Sequence, residues 1–312
     1  MKSSVFRLQA NGTTGSVRQW LPDGDVVGVV LVSHGMAEHA GRYEELAEVL
    51  TGHGWAVLAG DHRGHGGTAD LAGEPYGHFG DRFGWRTVVE DLRALSLHAA
   101  ALHPDVPLVL LGHSAGSLVA RDFAAQWPHA LAGLVLSGTP GQRGLIGAAG
   151  AQIGKLLVRL RGPGSRAGLL HRLTFGSYNS RFKPARTDHD WLSRDAAAVD
   201  AYNADPQCGF VCSNAFYVDL ITALARVNTR KLAKGTGKKL PILVQTGSMD
   251  PAGGERAARA VKALFRSIGN KNVTLKTYPG ARHEVYHETN RAEVFDDLLT
   301  WLEALPARKQ AG

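Results

Sequence analysis

The chain has 312 residues, 44% of them hydrophobic and 20% charged, a balance that suits one large folded domain with an insertion, or two ordinary domains, and excludes a disordered or collagen-like chain. Its two cysteines, Cys208 and Cys212, exclude a disulfide scaffold and, with no second Cys/His cluster around them, read as two small buried residues and not as a zinc site. The formal charge of +7 permits nucleic acid, anionic lipid or an anionic substrate, but no helix-turn-helix, RNP-like or Cys/His-finger pattern accompanies it, so no nucleic-acid partner is expected.

The first ten residues alternate apolar and polar types and lack the apolar run of a signal peptide, which makes the cytoplasm the default location. Two strands are predicted at Ser4–Ala10 and Ser16–Leu21, joined across Asn11-Gly12 as a hairpin at a sheet edge. The β-branched run Val26–Ser33 reads as a strand buried on both faces, followed by a helix over Tyr43–Leu50. The alternation continues with strand Trp55–Ala59, helix Trp85–Leu102, strand Leu108–Leu111, helix Ala115–Gln126 and strand Leu131–Ser137. It resumes with strand Pro241–Thr246, helix Glu255–Ile268, strand Val273–Tyr278 and helix Glu288–Leu305. Strands alternating with helices predict an α/β fold with a mostly parallel sheet, an antiparallel N-terminal hairpin and helices on both faces.

Between these halves, Thr139–Asn214 is Gly-rich and basic with no convincing buried strand. A structureless loop of that length is uncommon in a compact domain. The segment is therefore expected to be a helical lid, residues 139–214, inserted into a core of residues 1–138 and 215–312. Within it, Leu145–Leu160 sets Ile146, Ile153, Leu156, Leu157 and Leu160 on one face, the ordinary mark of a core-facing helix. Arg143, Lys155, Arg159, Arg161, Arg166 and Arg172 make the segment basic, which suits transient contact with a membrane surface as well as plain solvation. The tail Ala307–Gly312 reads as frayed.

Chemistry concentrates at Gly112-His113-Ser114-Ala115-Gly116, a GxSxG pentapeptide between a buried strand and a helix. That context lets the chain turn sharply enough to present the serine oxygen above the sheet, with a helix N-terminus behind it for developing negative charge. A serine nucleophile needs a base and an acid to orient it, in the order Ser, acid, His along the chain. Asp250 follows the strand ending at Thr246, and His283 follows the strand ending at Tyr278, both at the edge where chemistry gathers in parallel sheets. Oxyanion donors are expected at the backbone N–H of Ala115 and of Met36, in the loop His34-Gly35-Met36-Ala37-Glu38-His39. His34, Glu38 and His39 lie too close together, with no distant fourth ligand, to suggest a metal site. No cofactor and no metal are expected. His113 and His287, and Asp61, Asp205 and Asp219, lack the required positions, and Asp61–Gly66 is read as a structural loop.

His34–Tyr43 (HGMAEHAGRY), Asp61–Gly66 (DHRGHG), Gly112–Gly116 (GHSAG), Asp250-Pro251 and Ala281–Glu284 (ARHE) occur in the order seen in the monoacylglycerol lipase and lysophospholipase family of α/β-hydrolases (serine aminopeptidase S33-like hydrolases), and the chain resembles that family over almost its whole length outside the lid. The resemblance implies hydrolysis of single-chain lipid esters, monoacylglycerol or lysophospholipid, through an acyl-enzyme on Ser114, with oxyanion donors at Met36 and Ala115. One departure is that Ala115 and Ser117 stand where the family elbow usually has Met and Gly; the backbone donor survives, over a smaller-sided pocket floor. Acyl length, head group and oligomeric state are not legible. Small soluble esters, thioesters or peptides remain alternative substrates, and a non-catalytic binding protein on the same scaffold is the alternative of a different class.

Overall fold

A computed structural model describes residues 1–142 and 144–305. The frayed tail, Arg143 and the side chain of Ile146 thus lie outside the described residues. Asn11 (φ 46°) and Gly12 (φ 76°) occupy the left-handed region, which turns β1 (Lys2–Ala10) back on β2 (Thr13–Leu21) as an antiparallel hairpin. The chain continues through β3 (Gly28–Ser33), α1 (Glu44–Gly52), β4 (Trp55–Gly60), α2 (Gly66–Ala72), α3 (Gly84–Leu102), β5 (Leu108–His113), α4 (Ala115–Gln126) and β6 (Gly133–Ser137). Between β6 and the next strand come α5 (Gly144–Arg161), α6 (Gly168–Phe175), α7 (Ala196–Ala204), α8 (Asn214–Val227) and α9 (Arg230–Ala233). The last elements are β7 (Ile242–Gly247), α10 (Gly254–Ser267), β8 (Val273–Tyr278) and α11 (Arg291–Glu303).

The strands form one sheet in the order β1-β2-β4-β3-β5-β6-β7-β8, antiparallel at the hairpin end and parallel from β4 onward. Every residue of β3, β5, β6 and β7 is buried, because helices cover both faces. Successive side chains of a strand point to opposite faces. Val29, Leu31, Leu108 and Leu110 therefore join a core built with α3, α4, α8 and α10, while Val30, Val32, Val109 and Leu111 join one built with α1 and α11.

Two findings differ from the sequence reading. Residues 215–240 carried no predicted element, yet α8 fills the first half of that stretch and buries Phe216, Tyr217, Ala223 and Val227, and α9 follows. The expectation that the leucine face of the helix near Leu145–Leu160 points to the core also fails. Ile153, Leu156 and Leu160 of α5 are exposed at 39%, 55% and 70%, and only Leu157 joins the main core from that set. The buried side of α5 includes Gly154, where an added Cβ would come 2.7 Å from Val218. Small-residue packing, which apolar periodicity does not register, decides which way α5 faces.

Candidate active site

The β5–α4 junction is a tight elbow. An added Cβ on Gly112 would lie 2.6 Å from the Gly116 carbonyl, and one on Gly116 would lie 2.0 Å from the Ser33 carbonyl. Only glycines allow this approach of helix to strands. Between them Ser114 is forced to φ 49°, ψ −118°, with its N–H donating to the Ser137 carbonyl at 2.9 Å. Strain of this kind persists where the surroundings over-determine it. Here it lifts Oγ off the sheet at the start of α4.

Loops after β7 and β8 bring the other expected residues to Ser114. His283 Nε2 lies 2.9 Å from Ser114 Oγ, and His283 Nδ1 lies 2.9 Å from Asp250 Oδ1. A carboxylate can only accept, so Nδ1 carries the proton and Nε2 is left to accept from the serine hydroxyl. Asp250 Oδ1 also accepts the Ala252 N–H at 2.8 Å, and both His283 and Asp250 are buried. Burial alone would depress the imidazole pKa; the Asp250 charge and hydrogen bond outweigh it and raise the group above its ordinary value. The His283 ring packs between Trp191 (5.2 Å) and His113 (4.9 Å). Burial pushes His113 down to about 4, so it adds no positive charge beside His283 at neutral pH.

Met36 sits in the turn after β3 and Ala115 opens α4. Among the described residues neither backbone N–H has an acceptor. The turn lies against the elbow, since a Cβ added to Gly35 would meet Ser114 Cβ at 3.4 Å.

The motif histidines and acids that lacked a catalytic position hold these loops. His34 Nδ1 meets the Gly35 carbonyl at 2.8 Å, and its Nε2 accepts the His62 N–H at 2.9 Å. Burial first of all keeps His62 down at about 3 and His65 at about 4, so these rings, tilted against His34, act as neutral packing. Asp61 accepts the N–H groups of Ala40 and Gly67 at 2.7 and 2.9 Å, and Asp219 accepts that of Trp85 at 2.9 Å. His287 lies in a buried single turn, Val285–His287, ahead of α11 and not in its first turn. Donor atoms of His39, Asp205 and Cys208 fall within 4.8 Å of one another. His39 Nδ1 accepts the Gly41 N–H at 3.1 Å, however, so Nε2 bears the proton and donates to Asp205 at 2.8 Å, a hydrogen-bonded pair and not a ligand set.

One buried cluster had no role in the sequence reading. Arg42 grips Glu284 with two bonds, 2.6 and 2.7 Å, and Glu38 with a third at 2.7 Å. Tyr43 donates to Glu38 at 3.0 Å, and Gly35 N–H also donates to it. Burial would raise both carboxyls; the guanidinium wins and holds both below the usual range. Arg42, Glu38 and Glu284 all stand inside the quoted motifs, and that placement was the signal available.

Ser114 and His283 open into a cavity of about 450 Å³. Met36, Phe175, Trp191, Leu192 and Phe210 give it apolar walls, while Arg172, Asp188 and His189 add polar groups from the segment between β6 and β7. An elbow serine backed by histidine and aspartate, on a mostly parallel sheet with this strand order, makes the chain a serine ester hydrolase of the α/β-hydrolase fold. Comparison with known sequences gives the family: the model described as serine aminopeptidase, S33, matches residues 24–290, and the chain belongs to that family. A monoacylglycerol lipase of Mycolicibacterium smegmatis is 33% identical across 97% of this chain and 99% of its own length. The human monoglyceride lipase is 31% identical across 95% and 88%. Among solved structures, a thermostable carboxyl esterase from Bacillus coagulans in complex with glycerol matches with a TM-score of 0.91 at 28% identity, over 98% of this chain and 99% of that one. A soluble variant of the Saccharomyces cerevisiae monoglyceride lipase shares the fold, with a TM-score of 0.77 at 21% identity over 99% and 97%.

Proposed function

We propose that the chain hydrolyses the ester of single-chain lipids, monoacylglycerols foremost and lysophospholipids as a related class, through an acyl-enzyme on Ser114. The observation that carries this reading is the continuous relay Ser114–His283–Asp250, with both bonds at 2.9 Å, opening into an apolar-walled cavity. His283 Nε2 takes the Ser114 proton as Oγ attacks the ester carbonyl, then gives it to the departing alcohol. Water, deprotonated by the same nitrogen, releases the fatty acid and restores Ser114. Asp250 holds the ring in the productive tautomer and stabilises the imidazolium formed in each step. The N–H groups of Met36 and Ala115 receive the oxyanion. Nothing in this sequence requires a metal or cofactor.

Residues 139–214 serve as the lid, or cap, over a core of residues 1–138 and 215–312. The exposed Ile153, Leu156 and Leu160 of α5 and Leu169 and Leu173 of α6, beside Lys155, Arg159, Arg161 and Arg172, fit transient contact with an anionic lipid surface. No described helix is long and apolar enough to cross a membrane. A fluorophosphonate probe should label the folded wild type and not Ser114→Ala. Product analysis against monoacylglycerols, lysophospholipids and short soluble esters should show free fatty acid most strongly from the first; turnover confined to the short esters would remove the lipid assignment.

A further inference from the structure

Ala37 is a non-glycine residue in the left-handed region, at φ 55°, a conformation that crowds the Cβ of an L-residue against its own backbone. It shares its turn with Met36, whose N–H is the oxyanion donor in the reading above, on which this inference rests. Such strain needs a cause. The cause lies across the cavity, in the proposed cap: the Ala37 carbonyl accepts the Tyr202 hydroxyl at 2.9 Å and the Gly209 N–H at 3.0 Å. Both donors come from α7 and the loop after it. That loop is also tied to the core by the His39–Asp205 bond at 2.8 Å.

We infer that Tyr202 is a positioning residue for the oxyanion hole: its hydroxyl, together with the Gly209 N–H, holds Ala37 left-handed and so keeps the Met36 turn against Ser114. Tyr202 is well placed for this. Asp195 caps the N-terminus of its helix, accepting the Ala197 N–H at 3.0 Å, and the Arg42 guanidinium lies over the ring, 4.8 Å from its centroid. The ring is therefore fixed by contacts that phenylalanine would keep, and Tyr202→Phe removes little besides the O–H. Glu38 closes the other side of the turn by accepting the Gly35 N–H. The consequence is that oxyanion stabilisation depends on the second half of the proposed cap. A cap displaced at residues 202–209 would leave Ser114, His283 and Asp250 intact while releasing the strained turn.

The test is a double-mutant cycle on a soluble nitrophenyl ester, with kcat and KM measured for wild type, Tyr202→Phe, Ala37→Gly and the double variant. Tyr202→Phe should lower kcat about tenfold with KM changed less than about twofold, a fraction of the loss caused by deleting an oxyanion donor outright. Glycine adopts the left-handed region without a Cβ penalty, so the same tyrosine change should cost less than about threefold in the Ala37→Gly background. An equal penalty in both backgrounds, or a rise in KM with kcat preserved, would overturn the inference, since the hydroxyl would then contact substrate or only support the fold. Retained turnover in Ser114→Ala would remove the reading this inference rests on, whereas loss of turnover there with no coupling between Tyr202→Phe and Ala37→Gly would remove this inference alone, so the two failures are distinguishable.

Discussion

The loops at the C-terminal edge of the sheet and helix α5 of the proposed cap put their side chains to opposite uses. At the edge, charged groups are buried and paired: Asp250 with His283, and Arg42 with Glu38 and Glu284. On α5 the apolar side chains Ile153, Leu156 and Leu160 are turned to solvent. A site whose donors and acceptors are already paired pays little reorganisation at the moment of reaction. Helix α5 packs through Gly154 and Leu157 and leaves Ile153, Leu156 and Leu160 outside, an exposed apolar set of the kind that suits a contact surface. On the proposed reading the edge governs rate and stability, and α5 governs where the substrate is met.

The largest effects should fall on the relay. Ser114→Ala and His283→Ala should each lower kcat by about 10⁴-fold or more, read as initial rates on a soluble ester. Asp250→Asn should cost about 10³-fold or more, because the amide can present its NH₂ to Nδ1 and favour the wrong tautomer. An asparagine variant within tenfold of wild type would break the idea that the edge works through fixed pairing. Arg42→Ala comes next, through stability: it strands two buried carboxylates and should cost about 3–5 kcal/mol, seen as a melting temperature lower by roughly 10 °C. Arg42→Lys cannot reproduce the two-pronged grip on Glu284 and should recover only part of that loss.

These two predictions differ in how far their residues could be read from sequence. Ser114, Asp250 and His283 were legible because the fold imposes their order and each follows a buried strand whose β-branched run is plain in the chain. Arg42 and Glu284 stand 242 residues apart, and nothing local announces that a helix-entry arginine meets the residue after the base. The orientation of α5 was illegible for another reason. A 3.6-residue period says which side chains share a face, but not whether that face or the one bearing Gly154 is buried. Likewise Ala37 looks ordinary in sequence; its left-handed conformation exists only because Tyr202 and Gly209 reach it.

A smaller and more pointed test of the edge is its pH dependence. The base must be neutral to accept the serine proton, so activity falls as pH drops through the His283 pKa. Burial lowers that pKa, and the Asp250 charge and hydrogen bond, with the Glu284 and Glu38 charges, together raise it by more, so the acid limb of kcat/KM should lie above the ordinary imidazole value. Residual activity of Asp250→Asn should move the limb to lower pH, since burial is then opposed only by the charges of Glu284 and Glu38. A limb that stays put would mean that the carboxylate orients the ring without setting its charge.

The smallest effect is expected on α5, and it should depend on the form of the substrate. Leu156→Ser with Leu160→Ser alters two exposed side chains, so stability should change by no more than about 1 kcal/mol, the sum of two ordinary surface changes. Turnover of a dissolved nitrophenyl acetate should be unchanged, because neither side chain belongs to the relay or lines the cavity. Monoacylglycerol presented in vesicles containing anionic lipid should be hydrolysed a few-fold more slowly, through a higher apparent KM, since partial cover of the two leucines by a lipid surface contributes about 1 kcal/mol in all, well short of their full burial. Removing two of the neighbouring charges with Lys155→Gln and Arg159→Gln should weaken the same step and make it less sensitive to salt. Equal rates for wild type and variant on vesicles would mean that the exposed leucines do not meet lipid, and the contrast between a rate-setting edge and a surface-seeking α5 would then fail on its second half while the first stood.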